Sequence, residues 1–459
     1  MFWIDIREHP KQTCRVSMSS TSTSVSSLVP IHDLPPEILA QIFVLTIPPK
    51  GAALYGSNNT SQAAILSLVS ARWPRVAIET PFIWATISIT PIKSDFEAYK
   101  TALLLHIARP QDIPLSINIH LYTSPREDIS PHKPLFTFIA QNAQRIRHFK
   151  FACLASDVWE QLMEVIVEPS LSAKQTNNTI VSRVQAFPIE NLSFKLTAYD
   201  ESDTRRIART LRGVSFPGLH ALNIACHNFG STFTLDWAFP WDQLTSLSFV
   251  CHDDADVPHI IHSCPRLKRL IVGLFDTSQY SRSGRRTGWI HRGTEMAPSS
   301  LTELTLRIPN DLPAYLAMTH FLLLFSCPSL TSLSLKHEYV GGVGIKEEEW
   351  TAQSVRERVD GFHAALIHFL KGRSRCVPAL SYLKLENVLV TEDSLRTLLQ
   401  TLTSLEWLEL VVDDGDRRDV FCRISVVDEV LFLYGSPQDS HLSRIQNPLN
   451  GKCRIVVKP

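Results

Sequence analysis

Cys251, His252, His259, His262 and Cys264 are the densest group of side chains in this sequence that could do chemistry. Thiolates and imidazoles are zinc ligands, but the set as a whole matches none of the common zinc-site spacings. Cys264-Pro265 precedes Leu267 as Cys327-Pro328 precedes Leu330, and Cys376 lies four residues before Leu380. A repeated structural position therefore accounts for these thiols as small buried groups. No metal site and no cofactor is expected. A second cluster, Arg282, Arg285, Arg286 and Arg292 around Trp289, would suit a nucleic acid or an acidic protein. A solvated surface loop over 281–293 is the simpler account. Phosphate-cradling, dinucleotide, zinc-protease and serine-hydrolase signatures are all absent. No nucleophile can be named, and the chain does not read as an enzyme.

The elements that would position any such residues come from the rest of the 459-residue chain. Apolar residues are 44 % and charged residues 20 %, a globular composition. Lys and Arg number 45, as do Asp and Glu, so the net charge is zero and argues against a dedicated nucleic-acid binder. No apolar run is long enough to cross a bilayer, and the first residues lack the basic start and apolar core of a signal peptide. Nine Cys, with no closely spaced pair, fit reduced thiols in the cytoplasm or nucleus. Residues 17–27 hold nine Ser or Thr in eleven positions, so 1–30 is expected to be a disordered leader.

Residues 31–84 predict a small helical module. Leu34, Ile38 and Ile42 recur every four positions, with Leu39 and Phe43 as a second stripe. Pro35, Pro36 and Glu37 suit a first helical turn, and Pro48-Pro49 ends the helix. Gly51 to Thr60 reads as a loop. Leu66, Val69 and Trp73 form a second helical series, and Pro74 opens a third helix carrying Val76 and Ala77. These large groups exceed what about 50 residues can hide, so part of this surface should meet the solenoid and part should meet a partner.

Residues 85–188 read as irregular α/β lead-in repeats: strands near 86–89, 115–119 and 149–151, and helices over 94–108 and 135–146. From residue 189 an L-x-x-L-x-L pattern takes over. Its clean copies are Leu219-Leu222-Ile224, Leu244-Leu247-Phe249, Leu267-Leu270-Val272, Leu301-Leu304-Leu306, Leu330-Leu333-Leu335, Leu380-Leu383-Leu385 and Leu405-Leu408-Leu410. From Ile189 onward the first positions are 30, 25, 23, 34, 29, 50 and 25 residues apart, mostly in or near the range of leucine-rich repeats. One repeat cannot bury its apolar face alone, so neighbours must stack. The expected fold is α/β: a curved right-handed solenoid over 189–459, with a parallel sheet on its concave face and insertions at 275–298 and 337–379. The second insertion contains a helix through Val355, Val359, Phe362, Leu366 and Phe369.

IHDLPPEILAQIF followed by LSLVSARWPRVAIETPFIW resembles an F-box, and the whole chain resembles fungal F-box proteins with C-terminal leucine-rich repeats. The resemblance implies a three-helix F-box and a substrate-recognition subunit of an SCF-type ubiquitin ligase. The F-box would dock on a Skp-type adaptor, and through it on a cullin scaffold. By the same resemblance, Leu34, Pro35, Ile38, Leu39, Ile42, Leu68, Val69 and Trp73 are candidates for the adaptor interface, some of them belonging instead to the module's core. The solenoid would hold an unidentified protein substrate. Alternation along the strands puts Arg269, Glu303, Thr305, Arg307, Lys336, Tyr382, Lys384, Glu386, Trp407 and Glu409 on the concave face. The C-terminal group, Arg307, Lys336, Tyr382, Lys384, Glu386, Trp407 and Glu409, is the expected substrate contact. Two other functions fit the same residues: a leucine-rich protein-binding scaffold that recruits no ligase, and a nucleic-acid-binding solenoid using loop 281–293.

Overall fold

In the computed structural model the hexad leucines do what a stacked repeat requires. The structure describes residues 31–46, 52–55, 62–90, 113–121, 132–153, 158–165, 185–197, 214–227, 239–251, 257–274, 300–309, 352–371 and 454–458. It also describes most of 103–109, 207–211, 318–338, 380–388 and 392–411. Thirteen strands form one all-parallel sheet. In chain order they are β1 (Ala52–Tyr55), β2 (Thr86–Thr90), β3 (Leu115–Leu121), β4 (Ile146–Cys153), β6 (Asn191–Thr197), β8 (Ala221–His227) and β9 (Ser246–Cys251). The series continues with β10 (Arg269–Leu274), β11 (Glu303–Pro309), β12 (Ser332–Glu338), β13 (Tyr382–Glu386), β14 (Trp407–Val411) and β15 (Arg454–Lys458). β5 (Gln185–Ala186) and β7 (Val214–Ser215) pair separately as a two-stranded ribbon. Chain order equals spatial order in the large sheet, as expected when each repeat contacts only its neighbours.

Three apolar ladders run across the strands. Leu222, Leu247, Leu270, Leu304, Leu333, Leu383 and Leu408 stand in register, and so do Ile224, Phe249, Val272, Leu306, Leu335 and Leu385. The hexads' first leucines form the third, in the turns before the strands. Every one of these residues is at most 4 % exposed. Each buried side chain of this size is worth about 1.5–3 kcal/mol. The turns repeat as well. The amide of Leu219, Leu244, Leu267, Leu330 or Leu405 donates to the carbonyl of Phe216, Trp241, Cys264, Cys327 or Leu402, respectively. One residue after each first leucine, a single carbonyl accepts two amides of the next repeat: His220 from Thr245 and Ser246, Thr245 from Lys268 and Arg269, and onward to Ser381. Thr245, Thr302, Thr331 and Ser381 add side-chain hydroxyls to these steps.

Described helices pack on the leucine side. They include α4 (Lys133–Asn142), α5 (Val257–His262), α6 (Ala352–Lys371) and α7 (Glu392–Thr401). α6 is the helix expected in the second insertion, and it buries Phe362, Leu366, Phe369 and Leu370. From the lead-in repeats into the first repeats after residue 189 the core is aromatic. Phe151, Trp159, Phe194, Phe239 and Phe216 follow one another with ring centroids 5.5–6.1 Å apart. The expected helix 135–146 ends at Asn142. A 3-10 turn, Ala143–Arg145, follows and Ile146 already pairs with β3.

The N-terminal module contains α1 (Pro36–Thr46), α2 (Gln62–Ser67) and α3 (Trp73–Ile78), bracketed by 3-10 turns at Ile31–Asp33 and Pro81–Trp84. Its separate core comprises Leu39, Phe43, Trp73, Val76, Ala77, Ile83 and Trp84. Part of the segment expected to be a loop, Gly51 to Thr60, is strand β1, which pairs with β2. Insertion 337–379 likewise starts later than expected, because β12 continues to Glu338. No helix among the described residues is long and apolar enough to cross a membrane. The leader 1–30, loop 281–293 within insertion 275–298, His252 and Cys376 lie outside the described residues.

Candidate docking surfaces

α1 is apolar on two sides. Leu39 and Phe43 point into the module, where Phe43 packs against Trp73 with tilted rings, centroids 5.0 Å apart. Ile38 and Leu45 lie on another face at 42 % and 84 % exposure, with half-buried Ile42 between them. Ile65 in the last turn of α2, with Leu68 and Val69 in the turn that follows, makes a second outward apolar group, 51 %, 78 % and 52 % exposed. Two expected interface residues, Leu39 and Trp73, are thus core. Burying them against Phe43, Val76 and Trp84 builds the module and leaves nothing of them to meet a partner. Leu34 packs on the same core as a half-buried edge. The exposed Pro35 precedes α1, its carbonyl accepting the amides of Ile38 and Leu39. Pattern reasoning could not assign inside and outside here because both stripes have the same period.

Trp84 ties the module to the segment that precedes β3. Its indole Nε1–H donates to the Ala77 carbonyl at 2.7 Å. The Arg109 guanidinium lies 3.8 Å over the ring, and His106 meets it edge-on at 4.9 Å. Across the strand junction the Ser116 amide donates to the Ala85 carbonyl.

The sheet face opposite the leucines is open and polar. At its C-terminal end the structure gathers the expected contact residues on β11 to β14. Lys336 Nζ lies 2.9 Å from one Glu386 oxygen, and Lys384 Nζ lies 2.8 Å from the other. Lys384 also approaches Glu409 at 3.9 Å, and the Tyr382 hydroxyl donates to Glu409 at 2.7 Å. Arg307 is exposed beside Lys336, and Trp407 stands half-buried in register with Tyr382. Glu409 departs from the expected exposure, at 7 %, because Tyr382 and Lys384 close over it. Burial would raise the Glu386 carboxyl, but hydrogen bonds and charge from Lys384 and Lys336 outweigh it and hold it below its ordinary value. Burial, then Glu409, pushes the Tyr382 phenol up to about 12. The cluster is therefore a mutually neutralised network of two lysines and two carboxylates.

Cys264 and Cys327 of the repeat turns are buried. Burial pushes the Cys264 and Cys327 thiols up to about 12. Cys264 sits in a turn, His259 and His262 lie on α5, and Cys251 ends β9. Among the described residues no three His, Cys, Asp or Glu side chains are grouped to hold a metal ion.

No protein-family profile matches this chain, and neither does any curated protein sequence. Among solved structures, the chain is similar to a Bacteroides fragilis protein determined as a structural-genomics target. Identity is 12 %, coverage is 72 % of this chain and 84 % of that one, and the TM-score is 0.26. That score is too low to carry an argument about fold or function.

Proposed function

We propose that this chain is a substrate receptor of an SCF-type ubiquitin ligase. Its N-terminal module acts as a three-helix F-box, and its sheet as a curved right-handed leucine-rich-repeat solenoid. One observation carries the reading: a helical module of about 50 residues shows apolar groups outward, through Ile38, Leu45, Ile65, Leu68 and Val69, after its own core is filled. Exposed apolar side chains on and beside helices are the material of a helix-packing interface. A Skp-type adaptor is the partner the F-box-like sequence implies. The receptor would make and break no bonds. It would raise the effective concentration of a bound protein near the conjugating enzyme and orient its lysines.

The test is co-expression of the full chain with a Skp-type adaptor from the same source, followed by size exclusion. A 1:1 complex is expected, and Ile38→Asp with Leu68→Asp should abolish it without changing the far-UV circular dichroism. A folded chain that forms no complex, or a complex indifferent to this double variant, overturns the assignment and leaves a leucine-rich binding scaffold.

A further inference from the structure

The open face has two halves of different charge character. On β10 to β14 basic and acidic side chains alternate and pair: Arg269 with Glu303, and Lys336 and Lys384 with Glu386 and Glu409. β2, β3, β4, β6, β8 and β9 read TISIT, LSINIHL, IRHFKFAC, NLSFKLT, ALNIACH and SLSFVC, without one Asp or Glu. Glu190, just before β6, is engaged by Arg147 at 3.6 Å.

Register brings the basic groups of this half together. Asn118, Lys150, Ser193 and Asn223 occupy one row across β3, β4, β6 and β8. His120 and Lys195 flank Ala152 in the next row. At about 4.8 Å between strands and about 3.3 Å per residue, the Cα atoms of His120, Lys150 and Lys195 form a triangle with sides of about 8–10 Å. Lys150 and Lys195 are exposed and make no ion pair among the described residues. Asn223 donates to the Ser193 hydroxyl at 3.1 Å, extending the polar row. Burial, then the charges of Lys150 and Lys195, hold the His120 imidazole below its ordinary value. The field that disfavours an imidazolium there favours a carboxylate.

We infer that the open face of β3, β4, β6 and β8 is a docking site for an extended acidic polypeptide segment, its carboxylates meeting Lys150 and Lys195. Alternate side chains of an extended peptide lie about 7 Å apart, close to the spacing of these groups. The partner's chemistry follows from what the face holds. It offers Lys as a point charge, and the Arg on these strands, Arg147, is already engaged by Glu190 and by the Gln144 and Pro188 carbonyls rather than presenting a fork for bidentate phosphate recognition. It shows no Phe, Tyr or Trp on which bases could stack, as single-stranded nucleic acid requires. In the ligase reading the docked segment belongs to the recruited protein, but the site does not depend on adaptor binding.

The test is fluorescence anisotropy on the full chain at low salt, with labelled (Glu-Ser)5, (Gln-Ser)5 and ten-residue oligothymidylate probes. The glutamate peptide should bind, and the glutamine peptide at least about tenfold more weakly. Lys150→Glu with Lys195→Glu should weaken glutamate-peptide binding about tenfold or more, since exposed charge contacts each contribute up to about 1 kcal/mol. Lys336→Gln with Lys384→Gln should change it less than about twofold. If the charge reversals unfold the chain, Lys150→Gln with Lys195→Gln should still weaken binding about threefold. Equal binding of the two peptides, or indifference to the changes at Lys150 and Lys195, overturns the inference. So does oligothymidylate that binds at least as tightly and is lost in the same variants, which would make this a nucleic-acid surface.

Discussion

His337 continues the inward series of Leu333 and Leu335 on β12, at 3 % exposure. Burial lowers its imidazole from the ordinary 6.5 to about 4. Between these values the unfolded chain binds a proton that the folded chain refuses. Stability therefore rises with pH through this window and is lost on acidification. At 1.36 kcal/mol per tenfold change in proton affinity, the full window amounts to about 3 kcal/mol, of which about 2 kcal/mol falls between pH 7 and pH 5. His337→Leu, apolar and of similar volume, removes the titration. The measurement is urea unfolding of both chains at pH 7, 6 and 5. The stability of the leucine variant relative to wild type should increase by about 2 kcal/mol over that range, whatever the other groups contribute. A difference constant to within about 0.5 kcal/mol would show that His337 is not held neutral by the fold, and would sink the argument.

Leu304→Ala, between Leu270 and Leu333 in the central ladder, should cost about 2–5 kcal/mol in urea unfolding, while Thr305→Ala on the open face should cost less than about 0.5 kcal/mol. Leu39→Ala should destabilise the N-terminal module by a similar 2–5 kcal/mol, whereas Leu68→Ala, 78 % exposed, should leave thermal stability unchanged; equal melting shifts would contradict the assignment of inside and outside. A short maleimide pulse at pH 7.5 should leave Cys264 and Cys327 unlabelled by mass spectrometry until denaturant is added, because their buried thiols ionise only near 12.

The leucine positions were legible because stacking imposes one requirement on every repeat, and seven clean copies of a hexad satisfy it. The helix at 352–371 was legible from its period alone. β1 was not, since Ala52-Ala53-Leu54-Tyr55 has no alternation and its strand character comes from pairing with β2. The burial of Glu409 was hidden for a related reason. Alternation places a residue on the open face but cannot say that a tyrosine on the next strand will lie across it. The grouping of Lys150 with Lys195 was equally invisible. Each strand carries a single lysine, and only the β4–β6 register makes them neighbours.

The paired charges on β12 to β14 and those on β4 and β6, which meet no carboxylate among the described residues, have different consequences. A partly exposed lysine–glutamate pair adds little stability, so the C-terminal network is better understood by its field, which cancels within the sheet. An uncancelled field reaches about 8–10 Å into physiological salt, far enough to orient a chain before contact. The basic half is also the half beside the N-terminal module. β4 lies two strand spacings from β2, about 10 Å, whereas β13 lies about 40 Å away along the sheet. A protein held by an acidic segment on β3 to β8 would sit at the N-terminal module's end of the sheet, not at the far end where the tyrosine and tryptophan lie. If the chain is the proximity-based receptor proposed above, that placement would bring a captured protein closer to a docked adaptor than the C-terminal end would. It also separates the two surfaces experimentally. Salt should weaken capture at the basic face through screening, while adaptor docking through Ile38 and Leu68 should hold or strengthen as salt rises. Parallel loss of both with salt would mean that one electrostatic surface, not two of different physics, serves both partners.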